Sequence, residues 1–207
     1  MVAGLARVVA ARDRFVELAR DLGPDAPTLC AGWVVRDLVA HLLVLQRDPL
    51  AWPGVGVPAL AGLTERRMAA QVASGFDAAL DTLAARSPRF PVMPDDLPGG
   101  PMLHHLGEYV VHTEDMARPN HVPGTAADAD LADALWARAQ RVAAYFGRTR
   151  RRGLVLVRTD VAASAAVLLG PETTVVSGAP LELLVWAYRG PAVAGVGVTD
   201  AAAIPSP

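Results

Sequence analysis

Two residue types that bind divalent metals lie four residues apart in the stretch LGEYVVHTED, residues 106–115. On a helix, Glu108 and His112 differ by about 40° around the axis and by one turn along it, so their side chains can converge on one ion. The alternative is a surface pair, which stabilises a helix by only a few tenths of a kcal/mol. The spacing alone leaves both interpretations open.

A second histidine favours the metal-binding interpretation. His41 lies in DLVAHLLVL among leucines and valines, where a lone histidine is usually a core residue. Helical bundles, however, build metal sites from side chains on facing helices. Two histidines, one carboxylate and an open position form a common catalytic zinc set. His41, Glu108 and His112 are therefore candidate metal ligands.

Other residues of the same stretch could take part in the chemistry. His105 precedes Glu108 by three positions, so it is a candidate fourth ligand, a hydrogen-bond partner of a ligand, or a general base. Asp115 is a further candidate base, for a less favoured interpretation as a hydrolase. We expect His104 and His121 at a helix start or in a loop, and we expect neither to bind metal.

Apolar residues at helical spacing predict five helices along the first 147 residues. Their expected ranges are 3–22, 34–47, 64–86, 101–117 and 128–147. Loops rich in proline or glycine, at 49–63 and 87–100, separate three of these helices, and long loops of this kind are often functional. Residues 1–147 are expected to form an all-α metal-binding domain.

The pattern changes after the arginine run at 148–152, which we interpret as a solvated hinge. The runs GLVLVRTD, SAAVLLG, TTVVSG and AVAGVGVTD are short, apolar or β-branched, and bounded by turn residues, as strands are. Residues 179–190, APLELLVWAYRG, have helical spacing. Residues 153–207 are therefore expected to form a small α/β domain in a chain of the mainly α class.

The composition argues against several classes of function. A net charge of −2 lacks the basic surplus of nucleic-acid-binding proteins. No apolar run approaches the roughly 20 residues of a membrane-spanning helix, and the first residues do not resemble a signal peptide. We expect a cytoplasmic protein, monomeric or homodimeric. Cys30, the single cysteine, has no charged sequence neighbour to lower its thiol pKa, so a structural role is expected.

Two motifs carry a resemblance to a known family. The stretches LCAGWVVRDLVAHL, residues 29–42, and EYVVHTEDMARP, residues 108–119, resemble the mycothiol-dependent maleylpyruvate isomerase and DinB-like superfamily. Members share a pattern near GW-x-x-x-D-x-x-x-H followed by E-x-x-x-H. The residues that match it here are Gly32, Trp33, Asp37, His41, Glu108 and His112. The segment VVSGAPLELLVWAYRG, residues 175–190, is similar to part of the family's C-terminal domain.

This resemblance implies a DinB-like up-down four-helix bundle followed by a small sterol-carrier-like α/β domain. It assigns the metal triad to His41, Glu108 and His112, and it implies a divalent metal, with zinc expected first, and mycothiol as cofactors. The implied activity is thiol transfer to, or cis–trans isomerisation of, a small electrophilic substrate. The lysine-free composition agrees with an actinobacterial source, where mycothiol is made. A non-catalytic metal-binding or ligand-sensing module is the alternative.

The resemblance also implies that an arginine of the C-terminal domain takes part in the chemistry, and Arg158 and Arg189 are both candidates. Either guanidinium could bind a substrate carboxylate bidentately. The order Arg189-Gly190 departs from the family's Gly-Arg, which leaves the choice between them open. A second departure is Val34, which replaces the family's serine or threonine and removes the expected capping-box partner of Asp37.

Overall fold

The computed structural model describes residues 3–48, 61–85, 101–147, 153–170 and 172–200. Contacts between Cα atoms divide the chain into two compact units, Met1–Thr125 and Ala126–Pro207. Helices dominate the described part of the chain, and a small mixed sheet lies in the second unit. This confirms the predicted mainly α class with a C-terminal sheet. Among the described helices, none is both long and apolar enough to cross a membrane.

The first unit has five helices in its described residues. They are α1 (Ala3–Leu22), α2 (Val35–Arg47), α3 (Ala61–Gln71), α4 (Phe76–Ala85) and α5 (Leu103–Ala117). The single helix predicted over 64–86 is wrong, because the chain turns at residues 72–75. Gly75 has a φ of +105° there, a conformation that glycine adopts at little cost. The other three helices predicted in this unit agree within two residues.

The two predicted loops fall largely outside the described residues. Helix α3 begins at Ala61, so the loop predicted over 49–63 ends earlier than expected. Its remaining residues and the whole of the loop 87–100 are not described.

Helix α5 lies in the core of the first unit, and all fifteen of its residues are buried. From α1, the ring of Phe15 meets the ring of Tyr109 edge-to-face at a centroid distance of 6.1 Å. From α2, Gln46 donates a hydrogen bond to the Tyr109 hydroxyl. Tyr109 thus connects α5 to two neighbouring helices and helps to fix the direction in which the adjacent Glu108 projects.

Asp37 stabilises the start of α2, although Val34 replaces the serine or threonine that would usually complete a capping box with it. Asp37 Oδ2 accepts a hydrogen bond from the backbone N–H of Val34 at 2.9 Å. A valine side chain has no acceptor to offer in return, so only this half of a capping box forms. The carboxylate also lies in the first turn, where a negative charge interacts favourably with the helix dipole.

The described residues of the second unit form two helices and four strands. They are α6 (Ala129–Gly147), β1 (Gly153–Arg158), β2 (Ala163–Leu168), β3 (Thr173–Gly178), α7 (Pro180–Arg189) and β4 (Gly197–Asp200). The strand order is β2-β1-β3-β4, in which β1 and β3 are parallel and the two edge strands are antiparallel to their neighbours. The arginine run at 148–152 lies outside the described residues.

Two features of this unit differ from the sequence expectation. The strand predicted from AVAGVGVTD is confined to its last four residues. The residues before it turn instead: the N–H of Val196 donates to the Ala194 carbonyl at 3.0 Å, and the N–H of Gly195 donates to Glu182 Oε2 of α7. Helix α6 packs against α7 and the sheet, so the contacts divide the chain at residue 125, whereas the predicted domain boundary lies at 147. The apolar spacing of α6 indicates a buried face but does not identify its partner.

Glu114 of helix α5 also holds the loop that follows the helix. Glu114 accepts hydrogen bonds from the N–H of Thr125 at 2.7 Å and from Arg118 Nε at 3.0 Å. A methyl group added at Gly124 would lie 2.3 Å from Glu114 Oε1. We predict that Gly124→Ala displaces this carboxylate and lowers the free energy of unfolding by about 1–3 kcal/mol, the range for a lost hydrogen bond to a charged group.

Gly62→Ala is the matched control, because nothing lies within 4 Å of a methyl group added there. In helix α3 this change should be neutral or stabilising, by up to about 1 kcal/mol. Urea denaturation of both variants measures the difference. A Gly124→Ala protein as stable as the wild type would contradict the anchoring role of Glu114.

Candidate metal centre

Three buried side chains from α2 and α5 meet in the first unit. Glu108 Oε2 lies 3.7 Å from His41 Nε2 and 3.6 Å from His112 Nε2. One donor atom from each residue lies within 4.8 Å of the other two, and the three residues are only 5–8% exposed. The structure therefore brings together the three residues that the sequence predicts as metal ligands.

The spacing of these atoms fits a divalent cation. Two nitrogen or oxygen ligands of a tetrahedral zinc ion, each about 2.0–2.1 Å from the metal, are about 3.3 Å apart. The separations of the two imidazole nitrogens from Glu108 Oε2 exceed that value by only a few tenths of an ångström. The same donor set, two imidazoles and one carboxylate, also suits nickel, iron or manganese.

The second nitrogen of His112 has its own partner. His112 Nδ1 lies 2.8 Å from Asp115 Oδ2, and Asp115 is 1% exposed. A metal-binding histidine generally donates its other N–H to such a carboxylate, which fixes the tautomer and ring orientation and raises the basicity of the ligand nitrogen. Asp115, predicted only as a secondary candidate base, is placed where it orients His112.

Aromatic rings enclose His41 on two sides. Its ring centroid lies 5.3 Å from that of Trp33 and 5.1 Å from that of His112, and the two imidazole planes are nearly perpendicular, at 82°. Trp33 also packs against Ala40 and Val44 of α2. It therefore combines a packing role with a position beside a candidate ligand.

The charges of the site stabilise one another. Burial alone would raise the pKa of Glu108, but interactions with the His112 and His41 side chains hold it well below its usual range. Burial alone would lower the pKa of His112, but its hydrogen bonds, led by the one with Asp115, hold it well above its usual range. This environment thus favours the ionised form of Glu108 and the protonated form of His112.

The remaining histidines differ in position. His104, expected only at a helix start, lies in the first turn of α5, with its Nε2 3.8 Å from Glu108 Oε1. It precedes Glu108 by four residues, the same spacing that singled out His112, so the sequence held a signal for this proximity. His105 is fully buried, 6.5 Å from His104 between ring centroids, and its role stays a prediction. His121 is exposed in the loop after α5.

The two candidate arginines of the second unit have different surroundings. Arg158 is 6% exposed at the end of β1 and donates hydrogen bonds of 2.6–2.8 Å from Nε and both terminal nitrogens to Asp133 and Asp160. Its guanidinium also lies 5.8 Å from the ring centroid of Trp136. Arg189 is half-buried at the end of α7. Protein carboxylates therefore already engage all three guanidinium nitrogens of Arg158.

Cys30 lies next to the candidate metal centre. Its Sγ is 3.4 Å from Asp115 Oδ2, and Cys30, His112 and Asp115 form a second group whose donor atoms lie within 4.8 Å of one another. Sequence neighbours suggested no charged partner for this thiol. The partner comes from a position 85 residues away, which only the fold reveals.

The protein is a candidate metalloprotein with two units. The first unit is helical and contains a buried cluster of two histidines and one glutamate, and the second contains a small mixed sheet. Residues 5–117, more than half of the 207-residue chain, match the sequence model of the family described as the mycothiol maleylpyruvate isomerase N-terminal domain. The chain belongs to this family, which confirms the resemblance found in its motifs. A comparison with curated proteins finds no match.

Solved structures establish the fold of the chain. The crystal structure of the mycothiol-dependent maleylpyruvate isomerase matches with a TM-score of 0.61 at 15% identity, covering 99% of this chain and 94% of that one. A crystal structure of a histidine-to-alanine variant of such an isomerase matches with a TM-score of 0.56, at the same identity and coverage. Both comparisons extend over both units.

Metal binding is predicted to displace a proton from His112. Because its pKa is raised, this ring binds its proton more strongly than a free imidazole does, and a cation at Nε2 must replace the proton. The apparent affinity for Zn²⁺ should therefore rise with pH until the pH exceeds that raised pKa. Calorimetry at pH 7 in two buffers of different ionisation enthalpy should detect about one proton released per ion.

The same pKa shifts determine how stability without metal depends on pH. Glu108, whose pKa is lowered, contributes stability that is present above its ordinary value of 4.5 and is lost as the pH falls through the lowered value. His112, whose pKa is raised, contributes stability that is present below 6.5 and is lost as the pH rises through the raised value.

The Asp115→Asn variant tests the cause of the raised His112 pKa. The substitution removes the hydrogen bond that contributes most to the raised pKa, so the variant should release fewer protons when it binds Zn²⁺. Unchanged proton release would contradict the role of Asp115 in raising this pKa.

Proposed function

We propose that this protein is a mycothiol-dependent metalloenzyme that transfers a thiol to a small electrophilic substrate or isomerises that substrate. The observation that carries the proposal is the convergence of His41, Glu108 and His112 within the family's N-terminal domain. Two histidines and one carboxylate leave one position open on a tetrahedral ion, as catalytic zinc sites do. The family's name supplies the thiol and the reaction class.

In this proposal His41 Nε2, His112 Nε2 and Glu108 Oε2 hold the cation, with zinc as the first choice. A bound divalent cation lowers the pKa of a coordinating thiol and so provides a thiolate at neutral pH. Asp115 keeps the His112 ring oriented through its hydrogen bond, and Trp33 packs beside the ring of His41. The low exposure of the donors strengthens each of these electrostatic interactions.

Thiol transfer also requires a group that carries the thiol proton. His105, predicted from the sequence as a general base, is one candidate. His104 is the other, because its Nε2 lies 3.8 Å from Glu108 Oε1, beside the carboxylate of the proposed ligand set. In isomerisation the thiol adds to the substrate double bond, the resulting single bond rotates, and the thiol leaves again. That reaction has no net proton requirement.

For a substrate that bears a carboxylate, we propose that either Arg158 or Arg189 is the binding group. Arg158 already donates to Asp133 and Asp160 from Nε and both terminal nitrogens, so a substrate would have to displace two protein carboxylates. An arginine fork binds a carboxylate bidentately, which orients the substrate as well as holding it.

We propose that the first unit is a DinB-like up-down four-helix bundle and that the second is a sterol-carrier-like domain. We further propose that the protein is cytoplasmic, monomeric or homodimeric, and of actinobacterial origin. These points rest on the sequence motifs and on the lysine-free composition.

The metal site is tested by the metal content of protein purified without chelators. The wild type should contain about one divalent ion per chain, and His41→Ala and Glu108→Gln should lose most of it, because each removes one of three ligands. His121→Ala is the matched control, since this exposed loop histidine lies outside the site. Stoichiometric metal in a folded His41→Ala protein would refute the triad.

The thiol is tested by calorimetric titration of mycothiol into metal-loaded protein. We expect saturable binding that disappears in metal-free protein and in His41→Ala. No binding to the metal-loaded wild type would refute mycothiol dependence. If the thiol binds, incubation with small cis-alkene carboxylates, followed by NMR, distinguishes isomerisation from adduct formation. Thiol binding without conversion of any acceptor would favour a non-catalytic ligand-sensing module.

The two candidate arginines are tested by the same substitution. Replacing the arginine that binds the substrate with glutamine should raise KM for a carboxylate-bearing substrate by about 10-fold or more, the equivalent of one lost charge-assisted hydrogen bond. Arg158→Gln should also lower the free energy of unfolding by about 1–3 kcal/mol, because it breaks hydrogen bonds to Asp133 and Asp160. An unaltered KM in both Arg158→Gln and Arg189→Gln would contradict a substrate-binding role for either residue.

A further inference from the structure

A thiol beside the candidate metal centre has no part in the proposed function. Cys30 Sγ lies 3.4 Å from Asp115 Oδ2, and the same oxygen lies 2.8 Å from His112 Nδ1. One carboxylate oxygen is therefore within hydrogen-bond distance of two donors, a thiol and an imidazole N–H. Asp115 is 1% exposed, so little water reaches this oxygen.

The backbone around Cys30 holds the thiol in this position. Thr28 Oγ1 accepts a hydrogen bond from the Cys30 N–H at 3.1 Å and donates one to the Trp33 carbonyl at 2.8 Å. The N–H of Leu29 donates to the backbone carbonyl of Asp115 at 2.9 Å. The segment before α2 is thus attached to α5 immediately beside the thiol, which keeps Sγ close to the carboxylate.

A second cation held by Cys30, Asp115 and His112 is the competing interpretation, because all three are ligand types and their donor atoms cluster. The distances favour hydrogen bonds instead. Nitrogen and oxygen ligands of one tetrahedral ion are about 3.3 Å apart. His112 Nδ1 and Asp115 Oδ2 are 2.8 Å apart, the length of a charge-assisted hydrogen bond.

We propose that Cys30 is a positioning residue of the metal centre, an inference that rests on the proposed function. The thiol donates to Asp115 Oδ2, and that carboxylate accepts from His112 Nδ1. The His112 ring is thereby held with Nε2 toward Glu108. Without the thiol donor, the carboxylate is less restrained and His112 is oriented less firmly, so the affinity for the cation falls.

Three substitutions of Cys30 distinguish the effect of losing its hydrogen bond from the effect of losing its packing. Cys30→Ser keeps a donor of similar size, Cys30→Val fills the space without a donor, and Cys30→Ala removes both. Zn²⁺ affinity is measured by competition with a chromophoric chelator. We expect Cys30→Ser to bind within about 2-fold of the wild type, and the other two about 10-fold more weakly, at the lower end of the 10–100-fold range for groups that support a metal ligand.

Co²⁺ in place of zinc adds a readout that a purely structural role would not change. With sulfur outside the coordination sphere, the wild type and Cys30→Ser should give the same visible spectrum without sulfur-to-cobalt charge transfer. Cys30→Val should shift the visible bands, because the orientation of His112 changes. A charge-transfer band in the wild type that disappears in Cys30→Ser would overturn the proposal and make Cys30 a ligand.

The outcomes also separate this role from the proposed metal site. Equal Zn²⁺ affinity and equal Co²⁺ spectra in all folded variants would overturn the role of Cys30 and leave the metal site standing. A wild-type protein that binds neither ion would overturn the site and the role together. Weak binding by Cys30→Val and Cys30→Ala with rescue by Cys30→Ser is the pattern that the hydrogen-bonded arrangement requires.

Discussion

The complete burial of α5 is the constraint on which the rest of the first unit depends. This helix carries histidines and carboxylates that water cannot solvate, and a buried charge is tolerated only when it is paired and hydrogen-bonded. The structure satisfies the requirement locally: Asp115 contacts His112, and Glu114 accepts from Arg118 and Thr125. Apolar residues in place of buried ion pairs are often neutral or stabilising, so these charges indicate function rather than stability.

The same constraint explains how the candidate ligands are held. Glu108 and His112 project from a helix that is packed on every side, and His41 comes from α2, which Gln46 links to Tyr109. Sites on rigid helices hold their geometry more closely than sites on loops. The connector before α2 supports the same centre, because it carries both Trp33 and Cys30 and is bonded to α5 through Leu29.

The sequence predicts those parts of the structure that depend on local spacing. The four-residue interval between Glu108 and His112 and the unusual apolar setting of His41 mark the three residues as candidate ligands, and the family resemblance then assigns them as one triad. The contact between Cys30 and Asp115 joins distant segments, and no periodicity encodes it. The break at Gly75 was missed because a single glycine is tolerated within a helical pattern. His104 was missed because its position at a helix start suggested exposure, whereas the fold buries it.

The partner of an amphipathic helix is a further limit of sequence analysis. Helix α6 was assigned to the helical domain because it follows other helices along the chain. Its apolar face is equally suited to another helix or to a sheet, and the structure packs it on α7 and the strands. Arg158 illustrates the same limit, since its carboxylate partner Asp133 lies on α6, 25 residues before it.

The raised pKa of His112 reflects the two carboxylates that lie against its ring. Glu108 and Asp115 create a demand for positive charge at this point, which either a proton on the ring or a cation at its Nε2 meets. A proton therefore balances the buried carboxylates when no cation is present, so the burial of α5 does not depend on a metal ion.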